Sequence, residues 1–171
     1  MQKNFSYLLE VEDISPAEKE YNITATPAEL AQITAILKVP EVKSFAADIF
    51  VRRRNKSTLI DVRGSVKADI VRQSVISLEY FDKNYAVDFD LQFDTALNEA
   101  QVRELEESGA ENIPDVIIGG HIDLCQLALE QIALNLEDYP RKKGESFNFV
   151  SEFDEDDKPE NPFKILEKLK K

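Results

Sequence analysis

Apolar positions in this chain recur with two periods, and each predicts a kind of element. Leu30, Ile33 and Leu37 recur at spacings of three and four, the period of a helix face. Thr26-Pro27-Ala28-Glu29 stands in front of them as an N-cap, a first-turn proline and the acidic half of a capping box, and Pro40 stands behind. After Pro40 the period drops to two. Phe45, Ala47, Ile49 and Val51 alternate with polar neighbours, as do Ile60, Val62, Gly64, Val66, Ala68 and Ile70. The same alternation runs through Ser74, Ile76, Leu78 and Tyr80, and through Tyr85, Val87, Phe89, Leu91 and Phe93. Arg53 to Ser57 and Asp82-Lys83-Asn84 are the polar turns expected between them. Strands so close together, with no helix between, pair antiparallel. Phe5 to Val11 and Tyr21 to Ala25 are expected as two further strands ahead of this block.

The helical period returns at Asp123 to Leu136. Ile122, Cys125, Leu129, Ile132 and Leu136 share a face, and Leu124, Leu127 and Leu134 widen it, so the sheet must cover this helix. Asp123 and Gln126 are spaced as a capping box. Between sheet and helix, Asp94 to Gly120 is an acidic insertion expected to be mobile; Leu97 to Ser108 has Val102 and Leu105 as its apolar anchors for a short helix. The predicted fold is therefore α+β: an antiparallel β-meander of about four central strands plus N-terminal strands, two main helices packed on it and a flexible C-terminal tail. Residues 1–150 are expected to form one domain. Residues 151–171 are expected to form an acidic linker and a short basic amphipathic segment in which Asn161 caps, Pro162 starts, and Phe163, Leu166 and Leu169 share a face.

Charge narrows the function. The 171 residues carry 33 acids and 21 bases, a net charge of −12, with 43% hydrophobic positions to build a core. From Asp88 to Gly120 there are nine acids and one base, Arg103. Bases gather instead at Arg52-Arg53-Arg54 with Lys56, at Arg141-Lys142-Lys143 and after Asn161. A nucleic-acid backbone is repelled by such a chain unless bases share a face. Solvated loops explain each cluster plainly. A bipolar surface, meeting a partner basic in one place and anionic in another, explains them together. No apolar run reaches membrane-spanning length. The opening Met1-Gln-Lys-Asn-Phe-Ser-Tyr7 does not read as a secretory signal, and a single cysteine forms no internal disulfide, so a cytoplasmic protein is expected.

Candidate chemistry is sparse. His121 is the only histidine and Cys125 the only cysteine, too few for a zinc site of the usual kind. Cys125 lies on the apolar helix face, where a small buried hydrophobe is expected rather than a nucleophile. Gly119-Gly120 reads as a tight turn, and no phosphate-binding loop or dinucleotide fingerprint occurs. Asp88 and Asp90 share a strand face, where solvation is the expected role. No catalytic residue, cofactor, metal or small-molecule substrate is expected.

The order of segments nonetheless carries a resemblance. Gln73-Ser-Val-Ile-Ser-Leu-Glu79 is followed by the acidic loop, by Gly120-His-Ile-Asp-Leu124 opening the apolar helix, by Tyr139-Pro-Arg-Lys142, and by Asn161-Pro-Phe-Lys-Ile-Leu-Glu-Lys-Leu-Lys170. This resembles the YceD family of large ribosomal RNA subunit accumulation proteins, from about Phe5 to the end. The resemblance implies a non-enzymatic ribosome-biogenesis factor needed for 23S ribosomal RNA accumulation and large-subunit assembly. Many members carry cysteine in the sheet segment, often Cys-x-x-Cys. Ser74 stands where the first is usual, so a metal or redox role resting on those cysteines does not transfer. Two partners remain open. An acidic adaptor would hold a large-subunit ribosomal protein. A direct RNA binder would use Arg52, Arg53, Arg54 and Lys56, with the basic tail. Asn161, Pro162, Phe163, Leu166, Leu169 and Lys170 are the expected partner-docking residues.

Overall fold

The computed structural model describes residues 4–146. Among them are seven strands, three α-helices and one 3-10 turn: β1 (Leu8–Glu10), the 3-10 turn (Val11–Asp13), β2 (Lys19–Thr24), α1 (Pro27–Leu37), β3 (Glu41–Arg53), β4 (Leu59–Gln73), β5 (Tyr80–Asp94), α2 (Glu99–Glu107), β6 (Asp115–Val116), β7 (His121–Asp123) and α3 (Leu124–Asn135). β2-β3-β4-β5-β6 form one sheet, and β1 pairs with β7 in a second, two-stranded one. The architecture is α+β, with α1 and α3 packed on the large sheet.

The alternation of the sequence becomes the two faces of this sheet. Val42, Phe45, Ala47, Ile49 and Val51 of β3, with Ile60, Val62, Val66, Ala68 and Ile70 of β4, point into the core. β5 adds Tyr85 and Phe89. Ile33 of α1 and Leu124, Ala128, Leu129 and Ile132 of α3 close over them. Phe5 joins from the N-terminal segment, its ring edge-on to Phe45 with centroids 5.4 Å apart. Gly64 stands in the inward row because a Cβ there would lie 2.4 Å from the Asp48 carbonyl oxygen of β3.

Two sequence expectations for the meander are corrected. Ser74 to Tyr80 is not a strand: Ser74 to Glu79 is the turn joining β4 to β5. The Ser74 hydroxyl accepts the backbone N–H groups of Ile76 (3.1 Å) and Ser77 (3.2 Å), and Leu78 N–H closes back on the Ser74 carbonyl at 3.0 Å. A serine that bonds its own next residues draws the backbone out of a ladder. Asp82-Lys83-Asn84, expected as a turn, lies inside β5, opposite Val71, Ile70 and Asp69. The long meander thus has three strands of 13, 15 and 15 residues, with β2 antiparallel beside β3.

The caps follow the sequence more closely. Thr26 and Glu29 form the expected capping box. Asp123 caps α3 through Cys125 N–H (3.1 Å) and Gln126 N–H (3.2 Å), but without the reciprocal Gln126 bond of a box. Asp123 also lies opposite Leu8 in the small sheet. Leu134, expected to widen the buried face, is 79% exposed. The acidic insertion holds α2, capped by an Asn98–Gln101 box, and β6, which pairs parallel with the end of β5. α2 buries no residue, and Val102 and Leu105 are half-buried. No helix among the described residues is long and apolar enough to cross a membrane.

Candidate functional site

α1 and α3 occupy one face of the large sheet; among the described residues the other face is open. It presents Ser44, Asp48 and Arg52 of β3, Arg63 and Lys67 of β4, and Asp82, Asn84, Asp88 and Asp90 of β5. Polar side chains line up across strands: Arg52 faces Asp61, Arg63 faces Asp90, and Ser65 faces Asp88. Carboxylates dominate the β5 row, while arginines gather where β3 meets β4.

Those arginines include two of the three expected as RNA contacts, and the strand period separates the third. Arg52 and Arg54, two apart, lie on the open side, and both aim Nε at Asp61, at 3.3 and 2.9 Å. Arg53 turns the other way and donates to the carbonyls of Val11 (2.7 Å) and Ile14 (3.2 Å), fastening the 3-10 turn to the sheet end. Lys56 sits exposed at the hairpin tip, in the left-handed region at φ 52°. Arg63, which the sequence pattern did not single out, joins the group through Glu18 at 2.8 Å and lies over the Phe50 ring. Register alone could have found it, since Arg63 lies opposite Phe50, two residues before Arg52. Glu18, Arg52, Arg54, Asp61, Arg63 and Asp90 line a cleft of about 380 Å³. Three cations face three carboxylates, so the cleft is neutral. The Arg54 guanidinium leads in holding the Asp61 carboxyl below its ordinary range, with Gln92 and Arg52 assisting against burial. Arg63 does the same for Glu18.

The Ser74–Glu79 turn is built from hydroxyls. Ser74 is fully buried, and its Oγ donates to the Glu145 carboxylate. Hydrogen bonds from Ser74 first, then Ser77, pull the Glu145 carboxyl below its usual range. Lys142 N–H reaches the same carboxylate at 3.0 Å, and Val75 N–H bonds the Pro140 carbonyl at 2.9 Å. The donor set is serine and carboxylate, without thiolate or imidazole, and does not fit a zinc site. Among the described residues no group of three or more His, Cys, Asp or Glu side chains is placed to hold a metal ion.

Gly120-His-Ile-Asp-Leu124 is architectural. Gly120 takes φ +74°, and its carbonyl accepts Val11 N–H at 3.0 Å. Ile122 and Leu124 are buried. Asp123 takes Ser6 Oγ at 2.6 Å and Tyr7 N–H at 3.0 Å besides its two cap bonds. Burial pushes its carboxyl upward, and the four bonds together outweigh that, so it ionises below the usual range. His121 bonds the Gly119 carbonyl through Nδ1 at 3.1 Å. Burial, with the nearby Asp123 and Glu29 charges, pushes the Cys125 thiol up to about 12, and so away from reactivity. Asn161, Pro162, Phe163, Leu166, Leu169 and Lys170 lie outside the described residues.

The family model of the large ribosomal RNA subunit accumulation protein YceD matches residues 62–170. The chain belongs to this family. The YceD match begins inside β4 and takes in the Ser74 turn, the acidic insertion, α3 and the closing Asn161–Lys170 motif; the Arg52–Lys56 hairpin precedes it. The family description places the chain among proteins with a role in accumulation of the large ribosomal RNA subunit. No curated protein and no solved structure matches.

Proposed function

We propose that this YceD-family chain is a non-enzymatic, cytoplasmic factor for large-subunit assembly that sustains 23S ribosomal RNA accumulation as an acidic adaptor. Its open sheet face holds a basic segment of a large-subunit ribosomal protein. The observation that carries this reading is the charge arrangement of that face. The arginines pair with Asp61 and Glu18, whereas the β5 row offers exposed Asp88 and Asp90, neither of them in an ion pair among the described residues. A chain at −12 steers a basic partner inward and an RNA backbone away. The test is affinity capture with the full chain, with and without nuclease, repeated for D88N/D90N. Basic ribosomal proteins retained after nuclease, and lost in the variant, support the adaptor. Loss of all partners on nuclease treatment defeats it.

The alternative is direct RNA binding by the basic hairpin and the basic tail. It draws on the same cleft, where Arg52, Arg54 and Arg63 converge. An incoming phosphate must displace Asp61 or Glu18 before it gains a guanidinium. Replacing Arg52, Arg54 and Arg63 by Gln and titrating a 23S fragment against salt decides the matter. If these side chains neutralise phosphates, the slope flattens by roughly 0.7–0.9 for every phosphate released; an unchanged slope eliminates the hairpin.

A further inference from the structure

A different surface gathers at the opposite end of β4 and β5. Around the Ser74–Glu79 turn, Val75 is 45% exposed, Leu78 67%, Tyr80 63% and Tyr139 74%, four of the nine exposed large apolar side chains among the described residues. The backbone bond from Val75 to Pro140 sets the 139–143 segment beside this turn, and Lys142 Nζ pairs with Glu79. Leu78 sits at φ +60°, a left-handed conformation that glycine or asparagine would adopt more readily. A strained residue that also displays its apolar side chain to water marks a surface kept for use rather than stability.

The charges here are arranged oppositely to those of the β3–β4 cleft. There the cations are paired off; here most carboxylates are. Glu79 is taken by Lys142, Asp82 by Lys43, and Glu137 by Lys83 and the Tyr85 hydroxyl. Glu145 is held by the Ser74 hydroxyl and Lys142 N–H. Asp138 is the exposed carboxylate remaining in this segment. Arg141 and Lys143 are exposed, and neither has an ion-pair partner among the described residues. Open aromatic faces beside unspent cations are what unpaired nucleotides need: rings to stack on and charges for the flanking phosphates. A duplex keeps its base faces stacked and offers the tyrosines nothing.

We propose that the Ser74–Glu79 turn and the Tyr139–Lys143 segment together form a binding site for single-stranded RNA, in which Tyr80 and Tyr139 stack on unpaired bases and Arg141 and Lys143 meet the adjoining phosphates. The serine–carboxylate knot of Ser74, Ser77 and Glu145 holds the two segments together. This site is independent of the acidic face. With both in use, the chain presents an unpaired ribosomal RNA segment to a basic protein.

The test uses the full chain and a fluorescently labelled, unstructured oligoribonucleotide, with the same sequence in a duplex as control, read by anisotropy at several salt concentrations. The single strand binds more tightly than the duplex. Y80A and Y139A each weaken binding about tenfold, within the range that removing one base stack produces, while Y80F and Y139F retain it. R141Q/K143Q flattens the salt slope by roughly 0.7 for each phosphate no longer neutralised. R52Q/R54Q/R63Q leaves oligonucleotide binding unchanged. Equal affinity for duplex and single strand overturns the proposal, and so do tyrosine-to-alanine variants that bind like the parent. If the oligonucleotide does not bind and L78S instead releases a nuclease-resistant protein, the patch is a protein-docking surface and the RNA site is refuted. Capture of basic proteins on the acidic face is read separately, so either proposal can fail alone.

Discussion

Asp123 shows how much one side chain of this fold carries. It caps α3, ties Ser6 and Tyr7 to the helix start, and lies in the small sheet opposite Leu8. D123A should cost at least the ~1–2 kcal/mol of a missing N-cap, because the Tyr7 N–H also loses its acceptor. D123N retains a cap but not the charge, and so separates the two contributions. The folded carboxyl titrates below its ordinary value, so its stabilisation is complete above about pH 4 and is lost as pH falls through the folded pKa. Urea midpoints measured from neutral pH to pH 2 should therefore fall less steeply in D123N than in the parent; parallel acid limbs would show that the charge does not matter. Gly64 makes a second residue-scale case. A methyl group there meets the Asp48 carbonyl oxygen at 2.4 Å with the Phe89 ring at 3.1 Å, so G64A should destabilise by about 1–3 kcal/mol, measured by the same denaturation. The sequence displayed Gly64 as one beat of an alternating strand. What makes it necessary is the neighbouring strand's backbone, which no local pattern contains.

At the scale of elements, periodicity was reliable wherever one face is buried. The inward rows of β3 and β4, the α1 box and most of the α3 face follow from spacing alone, since burying a stripe demands that spacing. It failed where the alternation was accidental. Ser74, Ile76, Leu78 and Tyr80 alternate, but Ser74 is buried while Leu78 and Tyr80 are exposed, and serine hydrogen bonds turn the chain. β6 escaped notice because two residues have no period; only the return from α2 brings Asp115 beside Phe93. The candidate site was legible in its ingredients and not in its pairing. Arg52 and Arg54 stood out as bases, but Asp61, which pairs with both, is opposed to Arg52 only by register. The α3 face supports a direct prediction. Leu129 and Ile132 are 2% and 0% exposed against the sheet, so L129A or I132A should cost on the order of 2–5 kcal/mol. A loss below about 0.5 kcal/mol in chemical denaturation would instead mark that face as a binding surface.

For the whole molecule, the decisive relation is between the folded body and the segment that closes the family motif. Strands and helices from Leu8 to Asn135 and an apolar core from Phe5 to Ile132 are complete among the described residues. Asn161 to Lys171 lies beyond them and carries four lysines against one glutamate. The sequence pattern there is that of a short helix, and about nine residues are too few for a helix to persist alone in water, so in that form Phe163, Leu166 and Leu169 would need a covering surface. Between the described body and this segment the sequence runs through Glu152 to Asp157, with five acids in six residues. We propose that this segment is a docking element rather than part of the core. Ending the chain after Lys158 should then change the thermal midpoint by no more than about 2–4 °C, the shift that a single kcal/mol produces at this size. The same truncation should abolish co-sedimentation with large-subunit precursors. If the shortened chain unfolds, the segment belongs to the core. If the chain stays folded and sediments with precursors as before, the docking role is refuted, and attachment must lie on the acidic face or at the Ser74 turn.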